Sequence, residues 1–300
     1  MITSYLMGGL GNQLFQIFCT ISYAIQYKCD FIFPYSETLD VGVKRPTYWD
    51  SLLAGIRNKT TDIYNCPYKN KDLFSWAQIH EKRFFVAQEL PPRNFIRGID
   101  GAILVGYFQS LKYFNRYSER IIENIGLREK QSKTREKYAP VFSATAERPN
   151  TISMHFRIGD YAEKQDNHPV LPYEYYEAAL YKIFEEVPPM QSVVYYFCEK
   201  ENNRQVAAMI DRLNTFFENM VVFIKVDDTI PDWEQMLFMS CCKHHIIANS
   251  TFSWWGAYLG QNPGRIVCFP GGWLGPKMAE YNIHELIPAE TDGAGKWICI

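Results

Sequence analysis

Three short polar clusters in the second half of the chain carry residue types suited to a charged ligand. His155, Arg157 and Asp160 lie in HFRIGDY at 155–161. Glu199 and Lys200 follow an apolar run that ends at Phe197 and Cys198. Asn249, Ser250, Thr251 and Ser253 lie in IIANSTFSWWGAYL at 246–259. Arg157 offers a planar fork of N–H donors that matches phosphate oxygens. The Ser250 and Thr251 hydroxyls, with the N–H groups of a helix opening there, favour an anion. A phosphate-bearing ligand fits this chemistry. Each residue also has a plainer reading. Ser250 can be a helix N-cap, Arg157 the ion-pair partner of Asp160, and His155 a hydrogen-bonded core histidine.

The elements around these residues bring the clusters together. From residue 150 onward the pattern alternates regularly. It predicts strands at 151–157, 192–198, 220–226, 245–249 and 265–269, with helices at 173–187, 201–217, 232–243 and 251–259. In the first of these helices Tyr176, Ala179, Leu180, Ile183, Phe184 and Val187 recur three or four apart and mark its buried side. Such alternation implies a parallel sheet covered on both faces, a Rossmann-like α/β domain. Open parallel sheets bind ligands beyond the carboxyl ends of their strands. All three polar clusters fall at that edge. His155 and Arg157, two apart on a strand, point to the same side.

The first half reads less regularly. Ile2–Met7 predicts a strand, followed by the turn Gly8-Gly9-Leu10-Gly11-Asn12-Gln13 and a helix whose apolar side is Leu14, Ile17, Phe18, Ile21 and Ile25. Further strands are expected at 30–33 and 102–108, and a charged amphipathic helix at 110–125. The charged run at 128–137, followed by Pro140 and Pro149, predicts a connection. The domains are therefore drawn as 1–149 and 150–300. The glycine-rich turn can present backbone amides to a phosphate. It is not a dinucleotide fingerprint, because Leu14 stands where a small residue is needed and Asp30 opens the next strand instead of closing it.

Composition narrows the classes. A net charge of −2 over 300 residues gives no reason to expect nucleic acid. Eight cysteines without framework spacing read as reduced thiols of a cytoplasmic protein. Cys241 and Cys242 stand beside His244 and His245, but the ligand spacing of a zinc site is absent, and a helix end packed on its sheet is expected. The first 27 residues lack charged side chains, yet Gly8, Gly9, Gly11, Asn12, Gln13, Gln16 and Gln26 interrupt the run, so no spanning helix is expected.

GGLGNQLFQ at 8–16, GYFQ at 106–109, HFRIGDY at 155–161 and IIANSTFSWWGAYL at 246–259 closely resemble the bacterial-type α-1,2-fucosyltransferases, glycosyltransferase family 11. The motifs occur in the family's order from residue 7 to about 274, whereas 36–100 and the last 25 residues carry none. The resemblance implies a GT-B-like fold of two facing Rossmann-like α/β domains, the C-terminal one doubly wound and holding GDP-fucose, the N-terminal one on the acceptor side. It implies inverting transfer of L-fucose to a glycan hydroxyl, expected to be O2 of a terminal galactose, with neither metal nor cofactor.

In that one-step displacement Arg157 and the groups around Ser250 and Thr251 would neutralise the departing diphosphate. The Gly9–Gly11 turn would close on the same phosphates. Asp160 would be the base or would orient Arg157, and His155 and Glu199 would read the guanine. Asn12, Gln13, Asn249 and Ser253 complete the implied substrate-binding set. The family commonly has two consecutive arginines in HxRRGDY, where this chain has Arg157 and Ile158. After the next strand it has Glu199 and Lys200 where relatives carry acids, so Glu199 is the better guanine candidate. Another linkage, such as α-1,6, is disfavoured by GGLGNQ and NSTFSWW. A silent sugar- or nucleotide-binding protein is disfavoured by the presence of Arg157 and Asp160.

Overall fold

A computed structural model describes residues 1–69, 72–92, 101–143, 147–289, 293 and 295–300. By internal contacts the chain forms two units, Met1–Lys130 with Asn282–Ile287, and Gln131–Tyr281 with Pro288–Ile300.

The first unit has a parallel three-stranded sheet in which β1 (Ile2–Ser4) and β4 (Ala77–His80) flank β5 (Ala102–Val105). A small antiparallel pair, β2 (Thr38–Leu39) and β3 (Arg45–Pro46), stands apart. Helix α1 (Leu10–Tyr27) is buried on nearly every side from Leu10 to Ala24, so it acts as a core element. The strand expected at 30–33 is reduced to isolated parallel bridges at Phe31 and Phe33. The helix expected at 110–125 begins only at Ser118 (α2, Ser118–Ile125), because Leu111–Tyr113 and Asn115–Tyr117 form tighter 3-10 turns. Residues 282–287 join this unit through Glu285. Its carboxylate accepts from the Ala87 amide and Ser110 hydroxyl, each at 2.6 Å, and pairs with Lys112 at 2.6 Å.

The second unit contains six parallel strands, β6 (Asn150–His155), β7 (Ser192–Phe197), β8 (Val222–Lys225), β9 (His244–Ile246), β10 (Ile266–Phe269) and β11 (Lys296–Cys299). Their order is β11-β10-β9-β6-β7-β8. Counted from β6, this is the doubly wound order 3-2-1-4-5-6, whose direction reverses between β6 and β9. Both faces are covered. Along β7, Val194 joins one core with Ile152, Met154 and Ile246, while Val193, Tyr195 and Phe197 join another with Phe238 and Met239.

The helices are α3 (Leu127–Lys137), α4 (Ala139–Ser143), α5 (Tyr173–Phe184), α6 (Asn203–Phe216), α7 (Asp232–Cys241) and α8 (Thr251–Tyr258). The regular elements expected from residue 150 onward are all present. Two features differ from the sequence reading. The charged run at 128–137 is helical, with the boundary between the two units falling inside it between Lys130 and Gln131, and the helix was not legible because its inward residues are polar. Gln131 is buried and donates to the Ser240 hydroxyl and the Leu259 carbonyl, each at 2.8 Å. The edge strand β11 was not expected, since it is only four residues, two of them exposed and two half-buried. Cys241 closes α7, and His244 and His245 open β9, the helix end on its sheet anticipated for that cluster.

Candidate functional site

The reversal between β6 and β9 opens a crevice beyond their carboxyl ends. Three of the polar clusters lie there. β6 ends on His155, which is buried, with its ring 5.5 Å from that of Phe252. Burial, reinforced by the Arg157 charge, pushes the imidazole pKa down to about 3, so the ring is neutral.

Arg157 is the hub. Its guanidinium donates to a carboxylate oxygen of Glu199 and to one of Asp160, and it stands 4.9 Å from the centre of the Tyr161 ring. Asp160 uses its other oxygen to hold Lys164 at 3.3 Å. Gly159 permits this arrangement. Its φ is +21°, its amide donates to Asn202 Oδ1 at 3.1 Å, and a Cβ there would overlap Glu199 Oε2. Ile158 is turned into the core among Ile152, Met154 and Leu171. The position where the family often has a second arginine is therefore a packing position here.

Beyond β9, Ser250 caps α8 by accepting from the Phe252 amide at 3.4 Å. Its plainer reading as an N-cap holds, and the Thr251 and Ser253 positions form the first turn behind it. The Ser253 hydroxyl donates to the Ser250 carbonyl at 3.3 Å. Asn249 is fixed by its amide, which donates to the carbonyls of Pro169 and Trp273 at 2.9 and 3.2 Å. The Tyr161 hydroxyl donates to the Asn249 carbonyl at 3.2 Å, so it ties the loop after β6 to the loop after β9. Tyr161 also stacks on His168 at 4.9 Å. Sequence reasoning missed Lys164, His168 and Asn202. Only Tyr161 had a signal, its place inside HFRIGDY.

Four buried polar atoms at this edge have no hydrogen-bond partner among the described residues: His155 Nδ1, His168 Nδ1, Glu199 Oε2 and Asn249 Oδ1. Buried polar atoms are nearly always paired. They gather at the end of β6 and on the loops of the same sheet edge, where a polar ligand could satisfy them.

The glycine-rich turn lies in the first unit, at the carboxyl end of β1. Gly8 has φ +79°, and a Cβ there would come within 2.6 Å of Asn12 Nδ2. The side chains around it hold the turn. Gln13 donates to the carbonyls of Gly8 and Pro46 at 3.0 and 2.9 Å. Asn12 Oδ1 accepts from Gln109 at 2.8 Å, which joins GGLGNQ to GYFQ. Gly9 precedes α1 in an extended conformation, and a Cβ there would meet nothing within 4 Å.

Residues 102–271 match the sequence model of Glycosyl transferase family 11, more than half of the chain. The chain belongs to that family. It is a glycosyltransferase, and the matched segment contains GYFQ, Arg157, Glu199 and Asn249–Ser253, while the turn at 8–13 precedes it. The O-antigen biosynthesis glycosyltransferase WbnK of Escherichia coli is 28% identical over 301 residues, covering 90% of this chain and 94% of its own. An Escherichia coli alpha-1,2-colitosyltransferase is 27% identical over 327 residues, covering 100% and 98%. A solved structure of POFUT1 in complex with GDP-fucose aligns with a TM-score of 0.47 at 11% identity, covering 89% of this chain and 97% of that one.

As a family 11 glycosyltransferase, the protein needs a place for a nucleotide-sugar donor and one for a glycan acceptor. Among the described residues no helix is long and apolar enough to cross a membrane. Among them too, no three His, Cys, Asp or Glu side chains gather to hold a metal ion.

Proposed function

We propose that this glycosyltransferase moves L-fucose from GDP-β-L-fucose to a glycan hydroxyl, O2 of a terminal galactose, with inversion to an α-1,2 linkage. The observation that carries the reading is Arg157 at the switch point of the doubly wound sheet. It is partly open to solvent and is held by two carboxylates beside four unpartnered polar atoms. A diphosphate entering the crevice would take over part of the guanidinium fork. Lys164 and the amides opening α8 add positive potential at the same edge.

The acceptor hydroxyl oxygen forms a bond to C1 as the bond from C1 to the phosphate oxygen breaks, and the hydroxyl proton passes to water or to the departing diphosphate. The leaving diphosphate gains charge, and Arg157 stabilises that charge most strongly in the transition state. Both Asp160 oxygens engage cations. That arrangement favours Asp160 as the residue that orients Arg157 over Asp160 as the base. His155, neutral and buried, keeps an unpaired Nδ1 suited to a nucleotide hydrogen bond. Glu199 remains a candidate guanine contact through Oε2. In the first unit the space beside Gly9 suits close approach of a phosphate to the turn. The eight free cysteines fit a cytoplasmic enzyme.

The name of the colitosyltransferase relative supports a second donor, GDP-colitose, whose sugar is L-fucose without its 3-hydroxyl. Transfer assays with GDP-fucose, GDP-colitose and GDP-mannose, run onto a galactoside array in EDTA, test the reading. Fucosyl transfer that persists in EDTA is expected. Transfer from GDP-colitose alone would replace the donor, and restoration only by added Mn²⁺ or Mg²⁺ would overturn the metal-free scheme.

A further inference from the structure

Two carboxylates hold the edges of the Arg157 guanidinium, Glu199 on one terminal nitrogen and Asp160 on the other. A diphosphate that took over those N–H donors would also repel both carboxylates, because all of these groups are anions. Another contact is then needed to keep the guanidinium plane in place. The face of a neutral aromatic ring provides one. It attracts the cation through the ring quadrupole and uses none of its N–H groups.

Tyr161 supplies such a ring. Its centre lies 4.9 Å from the guanidinium carbon, inside the range of a cation–π contact. The ring is itself clamped. The His168 ring stacks on it at 4.9 Å with the planes 19° apart. Burial keeps the His168 pKa below its usual value, so the stack adds no second cation beside Arg157 at neutral pH. The phenol hydroxyl donates to the Asn249 carbonyl at 3.2 Å. The loop that carries both rings is braced in turn by the loop after β10. The Gly275 amide donates to the Asn167 carbonyl at 2.8 Å, the Lys277 amide donates to the Asp166 carbonyl at 2.9 Å, and Lys277 pairs with the Asp166 carboxylate at 2.7 Å. Gly275 permits that approach, since a Cβ there would overlap the Asp166 carbonyl. The Tyr161 ring is thus tied to the loops after β9 and β10 by contacts that involve neither Glu199 nor the Asp160 carboxylate.

We infer that Tyr161 is a positioning residue for Arg157, its ring face holding the guanidinium plane while a phosphate occupies the N–H fork. The inference rests on the proposed reading of Arg157 as the residue that binds the donor diphosphate.

Calorimetric GDP titration of the full chain tests it through a double-mutant cycle. Tyr161→Phe keeps the ring face and removes the hydroxyl. Pentafluorophenylalanine incorporated at the same position keeps the shape and abolishes the negative ring face. GDP should bind Tyr161→Phe within about threefold of wild type, and the fluorinated protein about three- to tenfold more weakly than Tyr161→Phe. In an Arg157→Ala background the two rings should give equal affinities. Trifluorophenylalanine gives the same comparison if the pentafluoro protein does not fold. Equal affinities of the two rings with Arg157 present, or the same fluorination loss in its absence, would show that the ring serves the loop alone and would overturn the inference. A loss in Tyr161→Phe as large as that in Arg157→Ala would assign the effect to the hydroxyl tie and overturn it as well. Arg157→Ala by itself separates the two claims. Wild-type GDP affinity in that variant defeats the phosphate reading and the inference with it. Weakened binding in Arg157→Ala, with equal binding by the two rings, defeats the inference and leaves the phosphate reading standing.

Discussion

The guanidinium of Arg157 and the carboxylate of Glu199 meet across the ends of neighbouring parallel strands, β6 and β7. The pairing gives Glu199 a task the sequence did not suggest: it holds the arginine's fork in place. Its second oxygen is packed beside Gly159. Glu199→Gln is therefore expected to change affinity for GDP and for inosine diphosphate by the same factor, because the effect acts through Arg157. Calorimetric titration with both nucleotides checks this. A loss confined to GDP, whose base carries the extra amino group, would show that Glu199 reads guanine.

Gly159 is tied to that pair by its position. A methyl group there overlaps Glu199 Oε2 at a φ of +21°. Gly159→Ala should lower unfolding stability by about 1–3 kcal/mol, the usual cost of such backbone strain, and should lower turnover with it. Urea unfolding and steady-state transfer measure the two effects. A variant that keeps wild-type values for both would remove Gly159 from the account.

Asp160 gives one oxygen to Arg157 and the other to Lys164. Asparagine keeps an oxygen for Arg157 and loses the Lys164 charge pair. Asp160→Asn should then retain turnover within about tenfold of wild type. A general base typically contributes about 10²–10⁴-fold, so a loss in that range would return the role of base to Asp160.

Burial holds four histidines low: His155 to about 3, His244 to about 4, His245 well below its ordinary value, and His168 below it. Unfolding restores each to about 6.5, so the unfolded chain binds more protons below that pH. Their contribution to stability is full above pH 6.5 and is lost as pH falls toward the folded values. Urea unfolding at pH 7.5 and 5.2 should show lower stability at 5.2, where ordinary carboxylates remain ionised. Equal stability at the two pH values would contradict the buried neutral state.

The strand-end clusters were legible because parallel α/β order announces itself through alternating apolar runs. His155, Arg157 and Ser250 needed only the rule that ligands bind beyond the carboxyl ends. What each residue touches was not legible. The contact between Glu199 and Arg157 depends on which strand lies next to β6, and the burial of Ile158 depends on which side of the loop faces the core. Helix α3 escaped because its inward residues, Gln131 and Thr134, are polar.

Phosphate binding at this strand edge turns on Arg157. Calorimetric titration of wild type, Arg157→Lys and Arg157→Ala with GDP tests this directly. Loss of a charge-assisted contact should weaken GDP binding in Arg157→Ala by about 1.5–3 kcal/mol. Arg157→Lys should recover little of it, since an ammonium cannot reproduce the fork. GDP affinity in Arg157→Ala equal to that of wild type would contradict the assignment of the donor phosphates to this edge.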